Sequence, residues 1–406
     1  MKRTLIAMSL FAATAGVVAF YPAANPTPTA ARPAGDPTNT PLPPVEPVSG
    51  ERPRVDVVFA LDTTGSMGGL IQAAREKIWS IATTMAQADP APLIRMGLVA
   101  YRDRGDAYVT RVVDLSEDLD SVYARLAELQ ANGGGDGPES VNQALYDAVH
   151  RVSWSQEPQG YKVVFLVGDS PPHRDYRDDV QYPETLAVAR ERGIAVNAVQ
   201  CGALAETATE WQQIARLGGG QAFQVEQGGS AVAITTPFDA SLAELSARLD
   251  ATRLYYGSAE EQEAQRRKLA ATEALHASAS VASRARRATF NASASGEPNL
   301  LGKGELVEDL ASGRVDLSTL EHDQLPAPLQ SLPAEDQRRL VEEKAVEREA
   351  VKAEIQGLVQ QRAQYLARKV EELGGAKDSL DEKIYGAVRE QATARGLRYE
   401  APAPSY

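Results

Sequence analysis

The sequence predicts an α/β fold, a doubly wound and mostly parallel sheet, followed by a mainly helical C-terminal region. Between about residues 54 and 250, short apolar runs rich in β-branched residues alternate with segments of helical periodicity. Strands that alternate with helices form parallel sheets that are covered on both faces. Beyond residue 250, strand-like runs become rare and Ala, Glu, Arg, Leu and Gln dominate, which favours helices.

Each predicted strand is a short apolar run bounded by polar or turn residues, as expected for strands buried on both faces. These runs are 55–61, 94–101, 109–113, 161–167, 194–199 and 222–225. The segments between them have apolar residues three or four positions apart, as in Leu119, Val122, Leu126 and Leu129. The resulting helices are 69–86, 119–129, one that follows the 133–137 loop and runs through 149, 183–192 and 206–217.

The first 53 residues have a different composition from the rest of the chain. Lys2 and Arg3 precede an apolar run that ends at Phe20, which is typical of a secretory signal or an uncleaved membrane anchor. The next segment is dense in Pro, Thr and Ala, and such a composition favours an extended linker without a core. We therefore expect a signal peptide or anchor at 1–23, a Pro-rich linker at 24–53, and export to the periplasm or cell envelope.

The C-terminal region divides into two parts. Residues 251–333 are expected to be a mixed connecting region, with a possible strand at 288–292. Residues 334–400 are expected to be a helical tail, in which apolar residues recur at helical spacing between 351 and 373. A coiled coil or a helical hairpin fits this pattern, and its loose heptad register favours packing on the same chain.

Charge and cysteine content exclude several classes of function. The formal net charge is −13, which disfavours nucleic acid as a partner. The single cysteine, Cys201, follows an apolar run and has no partner for a disulfide, so we interpret it as a small buried residue. No cluster of Cys and His has the spacing of a zinc site.

The first strand ends in a group of oxygen-bearing side chains. Asp62, Thr64 and Ser66 alternate along a short loop, so one carboxylate and two hydroxyl groups can face a single point. Hard cations such as Mg²⁺ prefer such oxygen ligands. Ligands of open parallel sheets bind in the crevice outside the carboxyl ends of the strands. The sequence therefore predicts a metal site there.

Two further acidic loops follow in the chain. The Gly-rich loop 133–137 continues into Glu139 and contains Asp136, and Asp169 comes directly after the fourth strand. Each carboxylate alone has an ordinary explanation as a helix cap. Three in succession at strand or loop ends favour a shared metal site.

These residues resemble the von Willebrand factor A (vWA) family, whose metal-ion-dependent adhesion site carries an Asp-x-Ser-x-Ser motif. Here Thr64 replaces the first serine and keeps its hydroxyl group, and the resemblance covers about residues 55–247. The loop Asp136-Gly137-Pro138-Glu139 is similar to that of the A-type domains of integrin β subunits. That resemblance implies Glu139 as the ligand from the second loop, with Asp136 beside it, and Asp169 as a ligand that binds directly or through water.

The resemblance implies a bound Mg²⁺, with Mn²⁺ or Ca²⁺ as alternatives, whose open coordination position is completed by an acidic side chain of a partner protein. We expect a non-enzymatic binding or scaffold protein. One alternative is a metal-dependent hydrolase in which His173 or Glu139 acts as the base, although a loop histidine is expected to be exposed. Another is the vWA partner of an AAA+ assembly, and a third is a purely structural metal. The tripeptide Arg104-Gly105-Asp106 is interpreted as an ordinary turn.

Overall fold

The computed structural model describes residues 52–135, 137–228, 234–372 and 379–400. The predicted signal or anchor at 1–23 lies outside the described residues, as does the Pro-rich linker except for its last two positions, Arg52 and Pro53.

A six-stranded sheet forms the centre of the fold and confirms the predicted α/β class. Its strands are β1 (Arg54–Asp62), β2 (Leu93–Tyr101), β3 (Thr110–Ser116), β4 (Tyr161–Gly168), β5 (Ile194–Cys201) and β6 (Gly219–Val225). Their order is β3-β2-β1-β4-β5-β6, and only β3 runs antiparallel to its neighbour. Since β1 lies between β2 and β4, the ends of these three strands meet at one edge.

Helices cover both faces of this sheet. They are α1 (Gly68–Ala86), α2 (Leu119–Glu128), α3 (Val141–His150), α4 (Tyr182–Glu191) and α5 (Ala205–Leu217). The next helix, α6 (Asp239–Asp250), packs in a separate apolar cluster with later helices. Successive residues of a strand point to opposite faces. Accordingly, Val57 packs in the core of α1 and α2, whereas Val58 packs in the core of α3, α4 and α5.

After α6, all the long elements of secondary structure in the described residues are helices. Its helices are α7 (Ala259–Ser278), α8 (Val281–Asn291), α9 (Glu297–Leu301), α10 (Leu306–Ala311), α11 (Ala327–Gln330), α12 (Ala334–Glu372) and α13 (Leu380–Thr393). The possible strand at 288–292 was wrong, because most of that segment is the end of α8. Ser280 caps this helix by accepting a hydrogen bond from the Ser283 amide, and Ala285 and Ala288 are buried at helical spacing.

A buried ionic network fastens these helices to the sheet domain. The Arg287 guanidinium on α8 donates hydrogen bonds to Asp120 on α2 at 2.7 and 2.6 Å and to Asp250 on α6 at 2.7 Å. Burial opposes the ionisation of Asp250, but the Arg287 charge outweighs it and holds the pKa of Asp250 at about 2. Both carboxylates therefore stay charged, and α2, α6 and α8 are held together.

Helix α12 packs along its length against helices of the same chain. Val351 and Ile355 lie in one apolar cluster with Leu249 of α6. Arg362 of α12 donates a hydrogen bond to Asp239 of α6 at 2.9 Å. The long helix thus makes the intrachain contacts that the loose heptad register favoured.

Helix α13 returns to the sheet and completes its core. Ile384 and Val388 are buried in the same cluster as Val57 and Trp79. At the start of the helix, Asp381 forms a buried ion pair with Lys77 of α1 at 3.0 Å. The last described helix of the expected tail is therefore part of the α/β layer.

Within the part of the chain that the structure describes, no helix combines the length and the apolar character needed to cross a bilayer.

We expect that Ile384→Ala destabilises the chain by about 2 to 5 kcal/mol, since it leaves a cavity between α13 and the sheet. The free energy of unfolding is measured by urea denaturation, followed by tryptophan fluorescence. The control is Val346→Ala on α12, whose side chain is 71% exposed, and there the change should stay within about 0.5 kcal/mol. Equal effects at both positions would contradict the packing of α13 on the sheet.

Candidate metal centre

The loop after β1 brings the three residues of the first motif together. Asp62 is fully buried, and its Oδ1 accepts hydrogen bonds from the Thr64 amide at 2.8 Å and the Thr64 hydroxyl at 2.7 Å. The hydroxyl oxygens of Thr64 and Ser66 lie 3.5 Å apart. A short 3₁₀ turn, Gly65–Met67, then leads into α1. One carboxylate and two hydroxyl groups therefore share one small space, as predicted.

Gly168 lets the Asp62 carboxylate lie against the end of β4. A Cβ atom placed on Gly168 would lie 3.1 Å from Asp62 Oδ2 and closer still to the Tyr101 hydroxyl. Any side chain here would push Asp62 away, so the glycine is required by close approach. The next residue is Asp169, and its charge adds to the effect of burial, which is the main cause of the raised pKa of Asp62. The first and third predicted acidic positions are thus neighbours.

The second loop places Glu139 next to Thr64. Gly134 has a positive φ of 77°, and a Cβ atom on it would lie 3.1 Å from Glu139 Oε1 and 3.2 Å from Thr64 Cβ. The Glu139 side chain is buried, and its backbone amide donates to the Pro171 carbonyl at 2.9 Å. This bond ties the second loop to the loop after β4. Asp136, the other predicted residue of this loop, lies outside the described residues.

Two buried carboxylate oxygens in this site lack a hydrogen-bond partner. These atoms are Asp62 Oδ2 and Glu139 Oε2. Burial, with repulsion from neighbouring carboxylates, raises the pKa of Asp62 to about 7 and that of Glu139 to about 9. Leaving such oxygens buried and unpaired is costly. A divalent cation would satisfy both of them, so the residues present fit a metal ion.

Asp169 differs from these two residues because both of its carboxylate oxygens are engaged. Oδ1 accepts from the Ser170 hydroxyl at 3.1 Å, and Oδ2 accepts from the Gln227 side-chain amide at 2.6 Å. Among the described residues, no three His, Cys, Asp or Glu side chains are grouped so that they could hold a metal by themselves. The donor set that remains combines Asp62 and Glu139 with the hydroxyl groups of Thr64 and Ser66, and oxygen donors of this kind suit Mg²⁺.

His173 is buried, contrary to the expectation of an exposed loop histidine. Its ring stacks on Tyr176 at 4.0 Å, Nδ1 lies 2.7 Å from Asp175 Oδ1, and Nε2 lies 3.3 Å from Asp103 Oδ2. The backbone amide of His173 also donates to the Glu139 carbonyl at 3.0 Å. Exposure was the wrong expectation because this loop folds back onto the site and encloses the ring.

The sequence analysis missed Asp103, which organises this side of the site. The Asp103 carboxylate accepts from the Ser140 hydroxyl at 2.9 Å and the Tyr176 hydroxyl at 2.8 Å. One signal was available, since Asp103 follows the end of β2 at the same sheet edge as Asp62. Its position after a strand could have been read in the same way as that of Asp169.

The tripeptide Arg104-Gly105-Asp106 forms part of a structured loop. The Arg104 guanidinium pairs with Asp178 at 2.9 Å and also with Asp179. Asp106 Oδ2 accepts from the Gly134 amide at 3.0 Å. The arginine and aspartate are therefore used to hold neighbouring loops.

Comparisons with known proteins identify the domain that contains these residues. A family model described as a von Willebrand factor A domain matches residues 56–227. Residues 56–227 form a von Willebrand factor A domain. Asp62, Glu139 and Asp169 all lie within the matched segment, and the likeness of the 136–139 loop to that of integrin β subunits stays a prediction.

Two curated relatives and one solved structure illustrate the range of similar proteins. The rat von Willebrand factor A domain-containing protein 7 is 38% identical over 93 residues, which are 23% of this chain and 10% of the relative. The alpha-protein kinase vwkA of Dictyostelium discoideum is 29% identical over 121 residues, 29% of this chain and 19% of the relative. The crystal structure of the SpRpn10 VWA domain is 11% identical, with 44% of this chain and 89% of that chain covered and a TM-score of 0.33. The chain thus spans less than a fifth of the length of these curated relatives.

We expect the metal-free chain to lose stability as the pH rises, because of the vWA-domain carboxylates. The pKa of Asp62 rises from 3.8 to about 7 on folding and that of Glu139 from 4.5 to about 9. Between about pH 4 and 9 the folded chain therefore binds more protons than the unfolded chain, and the free energy of unfolding falls with pH. Asp62→Asn and Glu139→Gln should each reduce this slope and raise the melting temperature at pH 8, measured by calorimetry in a chelator.

The matched control for this experiment is Asp103→Asn. Because the Asp103 oxygens already accept hydrogen bonds from Ser140 and Tyr176, this change should lower the melting temperature. A stabilising effect at Asp103, or an unchanged pH slope in both site variants, would contradict the assignment of Asp62 and Glu139 as the strained carboxylates.

Proposed function

We propose that the chain is an exported, non-enzymatic binding protein whose vWA domain captures an acidic side chain of a partner protein through a bound Mg²⁺. Mn²⁺ and Ca²⁺ are alternative ions. The observation that carries the proposal is the pair of buried, unpartnered oxygens, Asp62 Oδ2 and Glu139 Oε2, at the carboxyl ends of the strands. Their burial makes a cation the group that best offsets their charge.

The donor set also supports the capture of a partner. Asp62, Glu139, Thr64 and Ser66 offer fewer protein oxygens than the octahedral shell of Mg²⁺ requires. Ser66 is exposed, whereas Asp62, Thr64 and Glu139 are buried, so the ion would be held from below and approached from the solvent side. A carboxylate of a partner is an anionic oxygen donor that suits the positions left open.

The proposed cellular role is adhesion or scaffolding in the periplasm or cell envelope. Its support is the signal-like or anchor-like composition of residues 1–23 and the Pro-rich composition of 24–53. A linker of that composition would separate the vWA domain from a membrane or an export site.

A hydrolase is less well supported by the geometry around His173. A general base must present a nitrogen to the proton that it accepts. Here Nδ1 faces Asp175 and Nε2 faces Asp103, and the ring is buried. The same site gives no specific support for an AAA+ partner role.

We expect the full-length chain to bind Mg²⁺ and Mn²⁺ with saturable heat in isothermal titration calorimetry. Asp62→Ala and Glu139→Ala should each weaken binding by about tenfold or more, since each removes a direct carboxylate ligand. Asp114→Ala serves as the control. This aspartate of β3 is not one of the proposed ligands, and its carboxylate accepts hydrogen bonds from the Leu115 and Ser153 amides. It should leave the metal affinity unchanged.

The same proteins then serve as bait in envelope extract, with Mg²⁺ or with a chelator. A partner retained only with Mg²⁺, and lost with both site variants, is the expected result. Absence of metal binding up to millimolar concentrations would refute the adhesion-type site. Metal binding without a metal-dependent partner would favour a structural ion.

Export is tested separately with an alkaline phosphatase reporter fused to the C-terminus and expressed in a bacterial host. Because this reporter is active only outside the cytoplasm, the full-length fusion should be active, and removal of residues 2–20 should abolish the activity. A full-length fusion that is inactive but folded would contradict export and would favour an intracellular role.

A further inference from the structure

Gln227 connects the loop after β6 to the metal centre. Its side-chain amide donates a hydrogen bond to Asp169 Oδ2 at 2.6 Å. The other end of that amide is packed on Gly202, because a Cβ atom on this glycine would collide with Gln227 Oε1. Gly202 has a positive φ of 75°, and its amide donates to the Val225 carbonyl at 2.9 Å. Gln227 is exposed, and its amide is hydrogen-bonded at the nitrogen end and in contact with Gly202 at the oxygen end.

The two ends of the Asp169 carboxylate are both bound to neutral donors. Ser170 supplies a hydroxyl group to Oδ1, and Gln227 supplies an amide to Oδ2. The backbone carbonyl of Asp169 also accepts from the Thr207 hydroxyl at 2.9 Å. By contrast, Asp62 and Glu139 each keep one buried oxygen without a partner. The site thus contains two carboxylates that each have a buried oxygen without a partner, and a third whose two oxygens both accept a hydrogen bond.

We propose that Gln227 is a positioning residue that holds Asp169 out of direct contact with the metal ion. This inference rests on the proposed metal-binding function of the vWA domain. Asp62 and Glu139 would contact the ion directly, and Asp169 would act on it through water. Gln227 acts through Asp169 and needs no contact with the ion itself.

Direct coordination by Asp169 would have a consequence for partner capture. It would fill a coordination position that the carboxylate of the partner needs. By holding Asp169 back, Gln227 leaves that position open for an acidic group of the partner.

The test uses Mn²⁺ as the probe and counts the water molecules bound directly to it. The full-length chain is loaded with Mn²⁺, and the broadening of its electron paramagnetic resonance lines in ¹⁷O-water is measured. Gln227→Met, which keeps the length of the side chain but removes its donor, should have one fewer bound water than the wild type, because Asp169 replaces it. Mn²⁺ should also bind about tenfold more tightly to this variant, because a third carboxylate then contacts the ion directly.

Gln72→Met provides a matched control. Gln72 is an exposed glutamine of α1 whose amide donates to the Glu76 carboxylate at 3.3 Å, so the change also removes a donor to a carboxylate but not to one of the site. This variant should keep the water count and the Mn²⁺ affinity of the wild type.

A double variant separates positioning from a general structural effect. If Gln227 acts only through Asp169, adding Gln227→Met to Asp169→Asn should change neither the water count nor the affinity relative to Asp169→Asn alone. Loss of Mn²⁺ affinity in Gln227→Met, or an unchanged water count, would overturn the inference. Failure of the wild type to bind Mn²⁺ at all would instead refute the proposed function.

Discussion

The burial of two carboxylates at the end of the sheet is the constraint on which the candidate metal centre depends. Asp62 lies at the end of β1, and Glu139 reaches the same point from a separate loop. Like charges held together away from water are unfavourable unless a cation is present. Two glycines leave room for these side chains to lie close together. Gly168 lies beside Asp62, and Gly134 lies between Glu139 and Thr64. Such an arrangement lowers the stability of the metal-free fold, and the binding of a cation would restore it.

The parts of the fold that depend on local pattern were predictable from the sequence. β1, β4 and β5 are buried on both faces, so their apolar runs identified them as strands of a parallel sheet. The proximity of the oxygen-bearing side chains in the first loop also followed from three alternating residues, and their role as metal ligands stays a prediction. The return of α13 to the sheet did not, because an amphipathic helix shows that it has an apolar face without showing which surface it covers. The same holds for Gln227, since its bond to Asp169 joins loops 58 positions apart.

The C-terminal helices are fastened to the vWA domain by buried charges as well as by apolar contacts. Arg287 joins α8 to α2 and α6, and Lys77 joins α1 to α13 through Asp381. Breaking one partner of such a pair leaves an unpaired buried charge, which is strongly destabilising. The helices therefore fix the orientation of the vWA domain relative to α12. A ligand bound at the sheet edge would therefore be held in a defined direction relative to the C-terminal helices.

A binding site and a catalytic site place different demands on the same fold. A catalytic metal needs a base that can exchange protons, whereas the buried His173 is enclosed by Asp103, Asp175 and Tyr176. A binding metal needs an open position and a charge that attracts the ligand. In the proposed site, Asp62 and Glu139 would contact the ion, whereas the Asp169 carboxylate accepts hydrogen bonds from Ser170 and Gln227. These side chains support the proposed binding role better than a catalytic one, because the Asp103 and Asp169 carboxylates and the His173 ring already contact neighbouring polar groups.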